Sequence, residues 1–206
     1  RAIHEYSAHM ICDESRLYLD RIIHASDRMM QLIDDLLKYC HVGQQTIYMR
    51  PVALQPLLEE IIDEFEPRIK SVGAEVGVAK DLPKVLGDPT LLHQVFDNLI
   101  ENAITYRKQT EPLRIGVSWR KRRDEVIVCI ADNGIGIAPH HHKRIFDVFQ
   151  RLHGTDDYPG TGIGLATVKR SVEKLGGEVW VESQAGQGSA FCVRLKIAND
   201  EAGVQS

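Results

Sequence analysis

Aromatic residues are scarce in this chain, at 6%, so any core must be filled mainly by aliphatic side chains. Long apolar runs are missing as well. No stretch approaches 18 uncharged apolar residues, which excludes a helical membrane span. The opening RAIHEYSAHM has neither an apolar signal core nor a cleavage site. There is no excess of positive charge: the formal net charge is −4, which argues against a broad nucleic-acid footprint. Four cysteines, at positions 12, 40, 129 and 192, show no metal or redox spacing. They are expected to be small buried hydrophobes in a reducing, cytoplasmic setting. What remains is ordinary for a globular protein: 206 residues, 43% hydrophobic and 26% charged, enough for one good-sized domain with a small appendage.

The pattern divides near residues 43–46. Residues 13–40 predict one long helix with Asp13 as N-cap. Its apolar stripe comprises Leu19, Ile22, Ile23, Met29, Met30, Ile33, Leu36, Leu37 and Cys40, which needs helical partners. Residues 1–12 read as the end of a preceding helix, and Gly43 as the stop. Beyond it, TIYMRPVAL predicts a strand and its exit, and QPLLEEIIDEFEPRIKSVG an amphipathic helix. AEVGVA and KVLG are short strands. DPTLLHQVFDNLIENAITY is a helix with Asp88 as N-cap and Pro89 in first position. LRIGVSWR and EVIVCIAD flank the turn KRRD as a hairpin, read as a solvated surface turn. HHKRIFDVFQRL predicts a short helix, 153–160 a polar loop and 163–175 a further helix. EVWVES and AFCVRLKI form a closing strand pair. The expected fold is α+β. A helical hairpin remnant over 1–45 precedes a two-layer α/β sandwich over 46–198 with a mixed, largely antiparallel sheet, and 199–206 is a disordered tail.

Three segments of the second domain can carry chemistry. Asn98 and Asn102 stand four apart on one helix face. An amide oxygen there suits a hard cation such as Mg²⁺, yet two solvated polar residues give the same pattern. Asp132-Asn133-Gly134-Ile135-Gly136-Ile137 follows a strand directly. A carboxylate at a strand end before backbone-exposing glycines suits a nucleotide base, though Asp-Asn-Gly turns are common. Gly160-Thr161-Gly162-Ile163-Gly164-Leu165 precedes a helix, where free backbone N–H groups suit phosphate. A plain glycine hinge reads the same way. No Gly-Lys-Ser/Thr follows, so it is not a Walker P-loop, and no βαβ unit makes it a dinucleotide fingerprint. His140-His141-His142 follows Pro139, and contiguous histidines on a helix diverge too much for a tight metal site.

In this order the segments resemble the sensor histidine kinases of two-component systems, whose ATP-binding fold is shared with gyrase, mismatch-repair ATPases and a heat-shock chaperone family. NLIENA at 98–103 resembles the N box, and DNGIGI at 132–137 the first glycine box. IFDVFQR at 145–151 resembles the F box, and GTGIGL at 160–165 the second glycine box. GGEVWVES with GQGSAF resembles the closing strand pair, and LIDDLLKY the second helix of the dimerisation and phosphoacceptor hairpin. FQRLHG…YPGTGIGLA is similar to kinases found behind phytochrome-type light sensors.

The resemblance implies Mg²⁺–ATP as substrate. Asn102 would ligate the metal with Asn98 supporting it, and Asp132 would accept from the adenine amino group. Gly134, Gly136 and Ile137 would lie along the base, with Tyr106 and Ser189 near it. Gly160, Thr161, Gly162, Gly164 and Leu165 would shape the lid, with Arg151 near the phosphates. Phe146 and Phe149 would anchor the lid. It also implies a response-regulator receiver domain as partner, a homodimer through the N-terminal helices and an upstream sensor domain. Two departures stand out. The family often has Lys three residues after the metal asparagine; here Thr105 holds that place, with Arg107 and Lys108 nearby. And no histidine of this chain has the full phosphoacceptor context. His4 has Glu5 beside it but no Pro-Leu after it, and His9 has neither, so the acceptor is expected just upstream of Arg1. The alternatives are an ATPase of the same fold, or a non-catalytic nucleotide-binding dimerisation module. Asn98 stands where such ATPases place a water-activating Glu, and a neutral amide cannot act as a base.

Overall fold

The computed structural model describes residues 13–44, 46–152, 158 and 160–198. The expectations for residues 1–12, including His4 and His9, for 153–157 and for the tail from 199 lie outside the described residues. Helix α1 spans Asp13–Gln44, about 48 Å at 1.5 Å per residue. It runs through Gly43 rather than stopping there. The Arg170 guanidinium lies close over Gly43, where an added Cβ would displace it.

The rest is α+β. A five-stranded sheet has the order β2 (Glu75–Val78), β4 (Arg114–Arg122), β5 (Glu125–Asp132), β7 (Gly188–Lys196), β6 (Glu178–Gln184). Only β2–β4 is parallel; the other three pairings are antiparallel. A separate antiparallel pair joins β1 (Arg50–Ala53) to β3 (Lys84–Gly87). Helices α2 (Leu54–Glu64), α4 (Pro89–Thr105) and α5 (Gly164–Lys174) supply the second layer. Their buried Leu58, Ile61, Leu92, Phe96, Leu99 and Val168 meet Ile115, Val117, Val128, Ile130 and Val193 of the sheet in one core. Alternation produces this: β5 turns Val126, Val128, Ile130 and then Asp132 toward the helices, so Asp132 emerges at the core's edge.

Several elements differ from the sequence expectation. The predicted helix after residue 54 is two, α2 and α3 (Glu66–Ser71), broken at Phe65. Pro67 has no N–H to continue the α2 ladder and sits in the first turn of α3. The TIYMRPVAL strand is paired only over Arg50–Ala53. HHKRIFDVFQRL is not a helix but two 3₁₀ turns, Pro139–His141 and Arg144–Phe146. Ile145 and Phe146 are both buried, and Asp147 returns to extended backbone, which interrupts any continuous helix. The cysteine reading is corrected too. Cys129 and Cys192 oppose each other across β5 and β7 and form a disulfide, with Cα atoms 4.1 Å apart, and Cys40 is exposed. Cys12 lies outside the described residues.

Candidate functional site

Helix α4 positions the site from one side. Asp88, buried, caps it: Oδ1 accepts from Thr90 N at 3.0 Å and Leu91 N at 3.3 Å, while Oδ2 accepts from Tyr48 N at 2.9 Å. The fixed helix carries Asn98, Asn102 and, at its C-cap, Tyr106. The opposite wall is the end of β5 and the start of β7, where Asp132 lies in register with Ser189. Between them is a cavity. Asn102, Tyr106, Asp132, Gly136, Ile137, Arg151, Leu165 and Ser189 of the anticipated residues line it. The sequence reading missed Ile135, Ile145, Gln150, Leu152 and Phe191, which complete the apolar wall. Phe191 was legible as an inward position of the last strand, beside Ser189; Gln150 carried no signal.

Burial pushes the Asp132 carboxyl up to about 6, against the pull of N–H donors from Gly134 and Ser189 and of the Lys108 charge. Its Oδ1 accepts from Gly134 N at 2.8 Å. Asp132 is thus a partly desolvated acceptor in a mainly apolar cavity. Burial likewise raises the Tyr106 hydroxyl, opposed by the Arg151 charge. The loop after Asp132 is held against the β6–β7 hairpin. Gly186 N donates to Ile135 O at 2.7 Å. Gly136, at φ 68°, leaves no room for a Cβ beside the Gln184 carbonyl, and Gly188, at φ 92°, none beside the Asp132 carbonyl. Both combine left-handed backbone with close approach, which only glycine supplies.

A wider cleft opens beside the cavity. Asn98, Asn102, Gly160, Thr161, Gly162 and Gly164 line it, with Arg68 and Glu101. The Asn102 Nδ2 is buried with no hydrogen-bond partner. Asn98 is committed: Nδ2 donates to Gln94 O at 2.7 Å, and Oδ1 would lie 2.7 Å from a Cβ added to Gly164. Thr105 lines the cleft. Lys108 pairs with Glu111 at 2.8 Å and Arg107 donates to Ile104 O at 3.1 Å, so the cation lining this cleft near Thr105 is Arg68, paired with Glu101 at 2.8 Å. Thr161 sits in the cleft, not the cavity, and its hydroxyl donates to Asp35 of α1 at 2.7 Å. Arg151 donates from Nη2 to Tyr158 O at 2.7 Å, and the Tyr106 and Tyr158 rings lie 5.4 Å apart. Phe146 is buried edge-on against Phe191, ring centres 6.5 Å apart. Phe149 does not anchor anything by packing. It is 59% exposed with φ 64°, because the left-handed backbone there turns its side chain out of the core.

Gly134 underlies this arrangement without lining it. A Cβ there would stand 2.7 Å from Asp132 Oδ1 and overlap the Tyr106 carbonyl, which itself accepts from Ile135 N at 3.0 Å. A largely desolvated carboxylate in a mainly apolar cavity, with a glycine-lined cleft beside it, suits a nucleotide base and its phosphates.

The family model for histidine kinase-, DNA gyrase B- and HSP90-like ATPases matches residues 87–199. The phytochrome-like protein Cph1 of Synechocystis sp. is 36% identical over 187 residues, 91% of this chain and 25% of that protein. Cyanobacterial phytochrome A of Nostoc sp. is 39% identical over 173 residues, 84% of this chain and 22% of that one. The chain therefore spans about a quarter of the length of these curated relatives. Among solved structures, full-length ShkA in complex with AMPPNP matches at a TM-score of 0.71 and 28% identity, over 93% of this chain and 41% of that one. On the motif order, the cavity and the family match together, the chain belongs to the histidine kinase-, DNA gyrase B- and HSP90-like ATPase family, and within it is similar to the phytochrome-type histidine kinases.

Proposed function

We propose that this chain is the kinase core of a phytochrome-type sensor histidine kinase. It binds Mg²⁺–ATP and passes the γ-phosphoryl to a histidine, for relay to the aspartate of a response-regulator receiver domain. The observation that carries this is the pairing of the half-buried Asp132 in a mainly apolar cavity with the glycine-lined cleft beside it, Asn102 lining both. Asp132 accepts from the adenine amino group. Ile137, Ile145, Leu165 and Phe191 sandwich the base. Backbone N–H groups around Gly160, Gly162 and Gly164 face the phosphates, at the N-terminus of α5.

The residues fit a magnesium ion. The Asn102 amide oxygen is a hard ligand of the kind Mg²⁺ accepts alongside phosphate oxygens and water, and its buried, unpartnered Nδ2 is a donor suited to a phosphate oxygen. Among the described residues no three His, Cys, Asp or Glu side chains converge, so the ion would come with the nucleotide. When bound, it neutralises phosphate charge. The protein's own task is positioning: Asn102 orients the polyphosphate, and Arg68, Arg151 and the lid glycines surround it, which is where phosphoryl transfer gains most of its rate. A hydrolytic ATPase is disfavoured, because Asn98 spends its amide on Gln94 O and, among the described residues, the carboxylates lining the cleft are engaged: Glu101 by Arg68, and Asp35 by Gln31 and Thr161.

The full-length protein is proposed to carry a sensor domain and to dimerise through helices of the α1 type, with residues 1–45 as the remnant of the phosphotransfer hairpin and 46–198 as the ATP-binding domain. The test is incubation of this chain with γ-labelled ATP and a separately supplied helical hairpin bearing the acceptor histidine. Acid-labile, base-stable label on that hairpin is expected, and Asn102→Ala should abolish it. Free phosphate release without labelled hairpin would identify an ATPase. ATP binding with neither product would identify a non-catalytic module.

A further inference from the structure

Ser183 on β6 does not line the cavity, yet its hydroxyl fixes the chemistry of a group that does. Ser183 Oγ accepts from the Ile137 N–H at 2.8 Å, donates to the Gly188 carbonyl at 2.7 Å and lies 3.0 Å from Ser189 Oγ. A hydroxyl has one hydrogen and two lone pairs. An amide N–H can only donate and a carbonyl oxygen can only accept. The single Ser183 hydrogen is therefore spent on Gly188 O, and one lone pair on Ile137 N–H. The remaining lone pair faces Ser189, so the Ser189 hydroxyl must be the donor in that contact.

The consequence lies inside the cavity. With its hydrogen directed at Ser183, Ser189 Oγ turns only lone pairs toward a ligand. Its neighbour in register is Asp132, whose carboxylate, once ionised, also only accepts. The Asp132–Ser189 side of the cavity therefore presents two acceptors to a ligand. A purine carrying a 6-amino group presents N–H to that side. A purine carrying a 6-oxo group puts an acceptor at that position, its donor having moved to N1–H, and a buried acceptor left without a donor is costly.

We propose that Ser183 is a positioning residue that locks the Ser189 hydroxyl as an acceptor, and that this lock sets the preference for 6-aminopurine over 6-oxopurine nucleotides. The inference rests on the reading of Asp132 as the base-binding residue. It also explains why the β6–β7 hairpin is bound so closely to the 133–137 loop: the clamp that holds the loop is the same hydroxyl that orients the reader.

The test compares dissociation constants for ATP and ITP, which differ at the purine 6-position, in the wild type, Ser183→Ala, Ser183→Thr and Ser189→Ala. Removing the Ser183 hydroxyl frees the Ser189 hydrogen to turn into the cavity and meet a 6-oxo group. Ser183→Ala should then lower the ATP-over-ITP ratio about tenfold, equivalent to about 1.4 kcal/mol. Ser183→Thr, which keeps the hydroxyl, should restore the ratio. Ser189→Ala leaves the loop clamp intact and removes one acceptor, so it should lower the ratio as well; it decides the matter if Ser183→Ala does not fold. A Ser183→Ala chain that loses affinity for both nucleotides equally would show a structural clamp only and overturn the proposal. So would a ratio untouched by Ser189→Ala. Failure of the base-site reading looks different: a wild type with no ATP preference, or an ATP affinity indifferent to Asp132→Asn, would refute that reading and the inference with it.

Discussion

Asp132 combines burial with a carboxyl pushed up to about 6, and this makes base binding pH-dependent in a defined direction. The form that accepts from an amino group is the ionised one. Ligand binding favours ionisation, so affinity should rise as pH climbs toward about 6 and level off above it. One pH unit below that value, only about a tenth of the sites are ionised, and binding should weaken about tenfold. Titration calorimetry with adenosine, which carries no phosphate to titrate alongside, measures this cleanly. An affinity flat from pH 5 to pH 8 would remove Asp132 from the base site. Asp132→Asn should abolish the pH step and weaken ATP binding at pH 7.5. The amide nitrogen can donate where only acceptance serves, and a buried mismatch costs about 1–3 kcal/mol. Far-ultraviolet circular dichroism should be unchanged, because Asp132 ends its strand instead of filling the core.

At the scale of elements, α4 is the support on which Asn98, Asn102 and Tyr106 are mounted, and its N-cap is unusually well connected. Asp88 is 4% exposed and accepts three backbone donors, one of them from the segment before β1. Asp88→Ala strands those donors, so urea denaturation should show a loss of about 2 kcal/mol, the upper range for a helix cap. A midpoint that hardly moves would mean the cap is dispensable. Elements with strong local signals were legible in advance: the Asp88-Pro89 start of α4, the alternation of β4 and β5 across their hairpin, and the glycine-flanked motifs. Those decided by distant partners were not. The 139–152 stretch has helical composition, but Pro139 opens one short 3₁₀ turn and Asp147 returns the backbone to an extended conformation after the next. The Cys129–Cys192 pairing is 63 residues apart in sequence and follows only once β5 and β7 are known to be neighbours. Ser183 left no mark, since a serine near a strand end matters only when three groups converge on it. In the same way Thr161 is plain as a lid residue, whereas its bond to Asp35, 126 residues away, depends on where α1 lies.

Across the whole molecule α1 has two faces with different tasks. One carries Asp35, Tyr39 and Val42. Asp35 receives the Thr161 hydroxyl, the Arg170 guanidinium lies 4.5 Å from the Tyr39 ring centre and donates to its carbonyl, and Val42 is buried. At about 100° per residue the other side carries Ile22, Met29, Ile33, Leu36 and Cys40, at spacings of seven, four, three and four. All of these are exposed, and the pattern is that of a coiled-coil or bundle seam. So long an apolar row in water is costly, each such side chain gaining about 1.5–3 kcal/mol on full burial. A second copy of α1 offers the same row in return, with two-fold symmetry making the patch self-complementary. Sedimentation equilibrium should therefore find a dimer at tens of micromolar protein, about 6–7 kcal/mol of association free energy. Ile33→Glu places a charge in the middle of the seam and should give a monomer. Its ATP affinity should match the wild type, because the face that touches Thr161 and Arg170 is untouched. A wild type that stays monomeric throughout that range would refute the seam. An Ile33→Glu monomer that also loses ATP would show instead that the two faces of α1 are not independent.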